Sequence, residues 1–209
     1  MKNKNKKIII ISITLILIII ISIMVGCSFL KETKVEEPTN KVEVVDKIEA
    51  FGYQLEDRDT EIYKATFLEL KNVLASSEVN DEEYAQLLSK LFLIDLYTLD
   101  NKISKYDVGA LDFIYETEQE KFKNKLLDTM YKLVLDNSNH KREQELPIVK
   151  DVLINKVENT EYKKNNVSFK GYKVWADIQY EKDLGYDKKV VLTILKEENK
   201  LFVVNLSVL

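Results

Sequence analysis

The sequence YKVWADIQYE, residues 172–181, alternates apolar and polar side chains, with Trp175 as the one exception. Successive side chains of a strand point to opposite faces of a sheet, so this alternation predicts a half-buried strand. Two more strands are predicted after it, at residues 190–196 and 201–209, joined by the polar turn at 197–200. An earlier strand is predicted at residues 151–162. Together these segments predict an antiparallel sheet.

Three helices are predicted before this sheet, at about residues 61–76, 81–101 and 117–137. The second has the clearest start, because Asn80 and Glu83 have the spacing of a capping box. Its many leucines leave little polar face, which predicts burial on most sides. The third helix is predicted to have a capping box of its own at Thr117. Helices followed by antiparallel strands predict an α+β domain.

The N-terminal 27 residues have the three-part order of a secretory signal. Four lysines precede an apolar run at residues 8–23, and the segment closes with Met24, Val25, Gly26 and Cys27. These last four residues resemble the lipobox of bacterial lipoproteins. The resemblance implies that Cys27 receives a diacylglyceryl group and that the chain is cut before it.

The lipobox resemblance divides the chain into a signal peptide at 1–26, a lipidated cysteine with a flexible tether at 27–41, and an extracytoplasmic domain at 42–209. The partner of Cys27 is then the lipid bilayer, at the outer face of the cell membrane. The abundance of Ile, Lys and Asn is typical of a low-GC Gram-positive bacterium. An uncleaved transmembrane helix remains the alternative, because about 20 apolar residues span a bilayer.

The charge balance argues against nucleic acid as a partner. The whole chain has 31 basic and 35 acidic residues, a net charge of −4. Cleavage before Cys27 removes four lysines and leaves a net charge of −8, whereas a nucleic-acid binder needs a basic face. Cys27 is the only cysteine, so an intramolecular disulfide is excluded.

The sequence contains no motif that assigns a catalytic reaction, a metal or a cofactor. His140 is the only histidine, and the glycines are isolated, so neither a zinc motif nor a phosphate-binding loop is present. The acidic clusters at 57–61 and 81–83 are interpreted as helix caps. These absences predict a protein that is not an enzyme.

One carboxylate and several tyrosines are candidates for a ligand pocket. Asp95 interrupts an apolar run, and a buried carboxylate with a raised pKa could act as a general base. The other interpretation is an Asp that faces the edge of the helix surface, or one that is hydrogen-bonded to a tyrosine hydroxyl. The tyrosines on the same predicted apolar surfaces are Tyr97, Tyr106, Tyr115 and Tyr131.

The order of helices and strands over about residues 48–209 resembles the nuclear transport factor 2-like fold, in which a curved sheet wraps helices like a cone. Cystatin-like domains are the competing fold, although they usually have one main helix. The chain also resembles small lipoproteins of Gram-positive bacteria. The anchor, the missing catalytic motifs and the irregular pattern of the last strands predict a non-catalytic binding or interaction domain. The alternatives are a ligand-binding or enzymatic cone that uses Asp95, and an accessory subunit of a conjugation or secretion machine.

The outer face of the sheet is predicted to form an interface with a second copy or a protein partner. Trp175 stands on the polar face of its strand, and apolar residues at 190–195 and 201–206 do not alternate cleanly. A sheet with one solvated face should alternate along every strand. Large exposed apolar patches usually mark interaction sites. The alternatives are that the segment at residues 42–55 folds over this face, or that the strands are central in the sheet.

Overall fold

Residues 42–164 and 167–209 are described by a computed structural model of the chain. Within these ranges three helices precede a four-stranded antiparallel sheet, which confirms the predicted α+β class. In chain order the elements are β1 (Val44–Ile48), β2 (Tyr53–Glu56), α1 (Glu61–Leu74), α2 (Asp81–Tyr97), a 3₁₀ turn (Leu111–Phe113), α3 (Glu116–Asp128), β3 (Val149–Lys164), β4 (Val167–Tyr180), β5 (Lys189–Glu197) and β6 (Lys200–Val208). The predicted lipobox, Met24 to Cys27, lies outside the described residues.

The four strands of the main sheet follow the order β3-β4-β5-β6, so each strand pairs with its neighbours in the chain. The strands predicted from the sequence are confirmed, with β3 and β4 longer than predicted. A two-residue turn joins β5 to β6, and Glu198 adopts a positive φ of 53° there. Hairpin turns of this length favour positive φ values because their backbone matches the twist of the strands.

Helix α2 is the central helix of the domain, as predicted. The side chain of Asn80 accepts hydrogen bonds from the backbone N–H groups of Glu82 and Glu83, which confirms the predicted N-cap. Eleven of its seventeen residues are buried, because α1 and strands β3, β4 and β6 contact it on different sides. The helix ends at Tyr97, four residues before the predicted end at Asn101.

Helix α1 packs against α2, and the β1–β2 hairpin contacts α2 through the hydrogen bond between the Tyr53 and Tyr84 hydroxyls. Thr60 caps α1, as the polar residues before it predicted. The residues before α1 form a separate two-stranded sheet, in which β1 pairs antiparallel with β2.

Helix α3 differs from its prediction at both ends. Tyr115 is the N-cap and gives no side-chain cap, so the capping box at Thr117 was wrong. The helix ends at Asp128 because Thr129 leaves the helical conformation at φ −122° and ψ −105°. Leu133, which lies within the predicted range 117–137, is beyond the end of the helix and is 74% exposed.

A β-bulge explains much of the irregular pattern in the last strand. Thr193 pairs with Asn205 and Ile194 pairs with Val203, so Val204 is an extra residue on β6. The extra residue shifts the alternation of the strand by one position. Beyond the bulge, the positions that face the core are those that would otherwise face solvent. Leu206 therefore pairs with the buried Leu192 and packs against the core.

The hydrophobic core lies between α2 and one face of the sheet. Its sheet side is formed by alternate residues of β4 and β5, such as Val174, Ala176, Leu192 and Ile194, all nearly inaccessible to solvent. We call the opposite face of the sheet the outer face. In the described ranges no helix combines the length and apolar character needed to span a membrane.

Candidate functional site

Asp95 lies on α2 and is held by two strong donors. Its Oδ1 is 2.5 Å from Nζ of Lys102, and its Oδ2 accepts a hydrogen bond of 2.5 Å from the backbone N–H of Ala110. The Lys102 side chain is only 2% exposed, whereas that of Asp95 is 19% exposed. Burial alone would lower the pKa of Lys102, but the Asp95 carboxylate raises it above its ordinary value. The two groups therefore form a buried ion pair.

The turn that binds Asp95 has unusual geometry. Ala110 has a positive φ of 65°, a conformation that costs an alanine about 1–2 kcal/mol. Gly109 has no room for a side chain, because a Cβ would lie 2.5 Å from the backbone oxygen of Asp95. The Gly109 N–H donates to the Tyr131 hydroxyl, which itself donates to the carbonyl of Leu96. Asp95 and Tyr131 thus fix this turn together.

Two further carboxylates lie within the electrostatic influence of Asp95. Burial, with a contribution from the charge of Asp95, raises the pKa of Asp59 to about 6, and the same causes raise the pKa of Asp112 to about 6. Asp59 Oδ2 accepts a 2.7 Å hydrogen bond from the N–H of Glu56, on β2. Asp59 therefore binds the β2 backbone, and burial of its charge has an electrostatic cost near neutral pH.

A second ion pair lies close to this network. The Arg58 guanidinium binds Asp107 through both terminal nitrogens, with Nη2 at 2.9 Å from Oδ1, and its Nε lies 2.7 Å from Oε2 of Glu56. Burial tends to raise the pKa of Asp107, yet the hydrogen bond and charge of Arg58 hold it below its ordinary value. Arg58 thus ties the start of α1 to the loop after α2.

The arrangement around Asp95 favours a structural role over acid–base catalysis. A general base needs an oxygen within reach of the substrate proton. Both Asp95 oxygens already accept short hydrogen bonds, one from a buried ammonium that would be left unpaired if substrate displaced it. Removing one partner of a buried pair is strongly unfavourable. This geometry favours a structural role for Asp95, with Lys102 and the Ala110 N–H as its partners where the sequence suggested a tyrosine hydroxyl.

The candidate tyrosines have different partners. Tyr97 donates to Asp187 at 3.2 Å, and the Tyr115 ring stacks on Phe202 with centroids 4.1 Å apart. Burial raises the pKa of Tyr115 to about 12, with a further contribution from Glu197. Tyr106 is 40% exposed. Of these four tyrosines, Tyr131 is the one that binds the same turn as Asp95, at Gly109 and Ala110.

The outer face carries a different kind of site around Trp175. The indole is half-buried beside a shallow depression of about 300 Å³. Lys156 Nζ lies 5.0 Å from the centre of the indole ring. We call this site the Trp175 depression; it is lined by Asn155, Lys156, Trp175, Ala176, Asp177, Lys189, Val190 and Leu209.

Comparison with known proteins gives no further assignment: no family model, no curated protein and no solved structure matches this chain. Among the residues that the structure describes, no group of three or more His, Cys, Asp or Glu side chains could hold a metal ion.

Sequence reasoning missed most of the partners in these sites. Lys102 follows Asn101 in a polar loop, so nothing in the sequence indicates that its ammonium is buried. Asp59 belongs to the acidic cluster at 57–61, which the sequence analysis interprets as a helix cap. The position of Asn155 beside Trp175 depends on a bulge, which alternation alone does not predict.

Proposed function

We propose that this chain is a membrane-anchored extracytoplasmic lipoprotein whose α+β domain is a non-catalytic binding or interaction domain. The observation that carries the proposal is the half-buried Trp175 beside an open depression on the outer face. Trp175 is the only tryptophan of the chain. Tryptophan is enriched among the residues that dominate binding energy, because it buries a large area when a partner covers it.

The engaged state of Asp95 supports the non-catalytic part of this proposal. Its two oxygens are held by Lys102 and Ala110, so the best candidate base already has a structural task. The anchor rests on the resemblance of Met24–Cys27 to a lipobox. An anchored domain of net charge −8 would act at the outer membrane face on a partner other than nucleic acid.

Covalent footprinting of Trp175 tests the proposal and does not require the partner to be identified. Intact cells and the purified full chain in detergent are treated with hydroxyl radicals, and the oxidation of each residue is measured by mass spectrometry. We expect Trp175 to be oxidised in the purified chain and protected on cells. Tyr106, which is 40% exposed, is the internal control and should be oxidised in both samples. Equal oxidation of Trp175 in both samples would contradict an engaged outer face.

A further inference from the structure

The Trp175 depression combines a flat aromatic surface with short polar side chains. The Asn155 side chain donates a 2.8 Å hydrogen bond to Oδ1 of Asp177, and Lys189 also lines the depression. Its charges are balanced, because Lys156 and Lys189 are matched by Asp177 and the neighbouring Glu158. A balanced set of amide, carboxylate and ammonium groups suits a neutral ligand that both donates and accepts hydrogen bonds.

A β-bulge builds this polar arrangement. The register of β3 against β4 shifts between Ile154 and Lys156, so Asn155 is an extra residue on β3 and Lys156 pairs with Trp175. Bulges occur often beside binding sites, where they redirect a side chain. Here the bulge brings Asn155 and Lys156, consecutive in sequence, to the same depression.

The position of Lys156 shows which ligand groups the indole attracts. Its ammonium lies over the ring face, where the π-electrons favour positive charge. The C–H groups on one face of a pyranose ring also carry partial positive charge, so they can occupy the same place. Lys156 is 55% exposed and also ion-paired with Glu158, and exposed pairs of this kind contribute little energy. It can therefore leave the ring when a ligand arrives.

We propose that the Trp175 depression binds a neutral pyranose sugar, with the ring stacked on Trp175 and the hydroxyl groups bound by Asn155 and Asp177. The volume of about 300 Å³ is roughly that of ten waters in the liquid, which accommodates a sugar ring with its hydroxyls. This inference rests on the proposed binding function and names its ligand class.

The intrinsic fluorescence of Trp175 provides the test, because no other tryptophan contributes. The full chain is titrated, in a detergent without a sugar headgroup, with N,N′-diacetylchitobiose and separately with maltose. We expect a saturable change in emission with at least one sugar, half-complete at about millimolar concentration. The Asn155→Ala variant should bind about tenfold more weakly, since one hydrogen bond is lost.

Asn205→Ala is the matched control, because Asn205 is also an exposed asparagine of the sheet but does not line the depression. It should bind as the wild type does. The inference is overturned if neither sugar gives a saturable change, or if Asn155→Ala binds as tightly as Asn205→Ala. It is also overturned if emission responds only to inorganic phosphate. An emission change that occurs only on dilution of the chain would overturn it as well, because it would show that a second copy of the chain covers this face.

The two proposals can fail separately. The purified chain could bind sugar while Trp175 is oxidised equally on cells and in detergent. This result would support the sugar site and contradict a partner bound to the outer face on the cell. Protection on cells without sugar binding would retain the binding domain and reject its ligand class.

Discussion

The hydroxyl groups of Tyr53 and Tyr84 lie 2.6 Å apart, and together they bind both backbone polar groups of Leu201. Tyr53 donates to the Leu201 carbonyl, while the Leu201 N–H donates to Tyr84. Tyr84 must then donate to Tyr53, which closes a ring of three hydrogen bonds. Leu201 lies on β6, the edge strand of the sheet. An open edge invites pairing with another chain, and the two tyrosines close this part of it.

Removal of the Tyr84 hydroxyl should be costly. In Tyr84→Phe the buried Leu201 N–H loses its acceptor, and an unsatisfied buried donor costs about 1–3 kcal/mol. We expect the free energy of unfolding, measured by urea denaturation of the fragment 42–209, to fall by this amount. Tyr106→Phe is the control and should change stability by no more than about 0.5 kcal/mol. Equal effects of the two substitutions would contradict the structural role of the ring.

The fragment 42–209 should fold without metal or reductant. It contains no cysteine, and no group of metal-ligating side chains occurs within the described residues. We expect one cooperative unfolding transition whose midpoint is the same with and without EDTA. A midpoint that falls in EDTA would show that acidic residues of the fragment bind a cation.

The pair Asp95–Lys102 should show strong energetic coupling. Asp95→Asn leaves the buried ammonium of Lys102 without its counter-charge, which costs about 3–5 kcal/mol. Lys102→Met in the same chain removes that ammonium, so the double variant should recover much of the lost stability. Urea denaturation of both single variants and the double variant measures the coupling. Additive losses would show that the two groups do not depend on each other.

The raised pKa of Asp59 predicts that acid stabilises the fold over a defined range. The carboxyl titrates at about 6 in the fold and near 3.8 when unfolded. Between these values the native state holds a proton that the unfolded state has lost, so the contribution of Asp59 to stability grows as pH falls through this range. Above about pH 6 both states are ionised, and the cost of burying the charge is fully present.

Asp59→Asn should therefore stabilise the fragment at about pH 7.5, by about 1 kcal/mol, because the amide removes the buried charge and keeps an acceptor for the Glu56 N–H. The stability gain on acidification from about pH 7 to 5 should also shrink. Urea denaturation across this pH range measures both effects. A variant that is less stable than the wild type at both about pH 5 and about pH 7.5 would contradict the cost assigned to burying the Asp59 charge.

The features of the fold that depend only on residues close together in the sequence were predicted correctly. The Asn80 cap and the alternation in β4 need only short stretches of sequence, and both are confirmed. The end of α3 depends on tertiary contacts instead. The helix stops before Tyr131, whose ring is fully buried and whose hydroxyl binds the Gly109 turn. Met130 and Leu133 continue the apolar spacing, so the pattern alone extended the helix too far.

The sites were harder to predict because their partners are distant in sequence. Alternation correctly assigned Trp175 to the polar face of β4. The bulge that brings Asn155 beside it leaves no compositional sign, because bulges depend on strand pairing. Likewise Asp95 was identified as unusual within an apolar run, but the loop residue that neutralises it, Lys102, could be identified only from the fold.

The anchor predicts a clear difference between two substitutions at adjacent positions. If Cys27 carries the lipid, Cys27→Ala should abolish incorporation of a labelled fatty acid and leave the precursor uncut, because the acylated sulfur is missing. Gly26→Ala is the matched control, since the lipobox pattern accepts Gly or Ala at this position, and it should be labelled and processed normally. Metabolic labelling followed by electrophoresis of the membrane fraction measures both outcomes. Normal processing of Cys27→Ala would contradict lipidation at Cys27. A wild-type chain that is neither labelled nor cut would favour the alternative, in which the apolar run at residues 8–23 remains as an uncleaved transmembrane anchor.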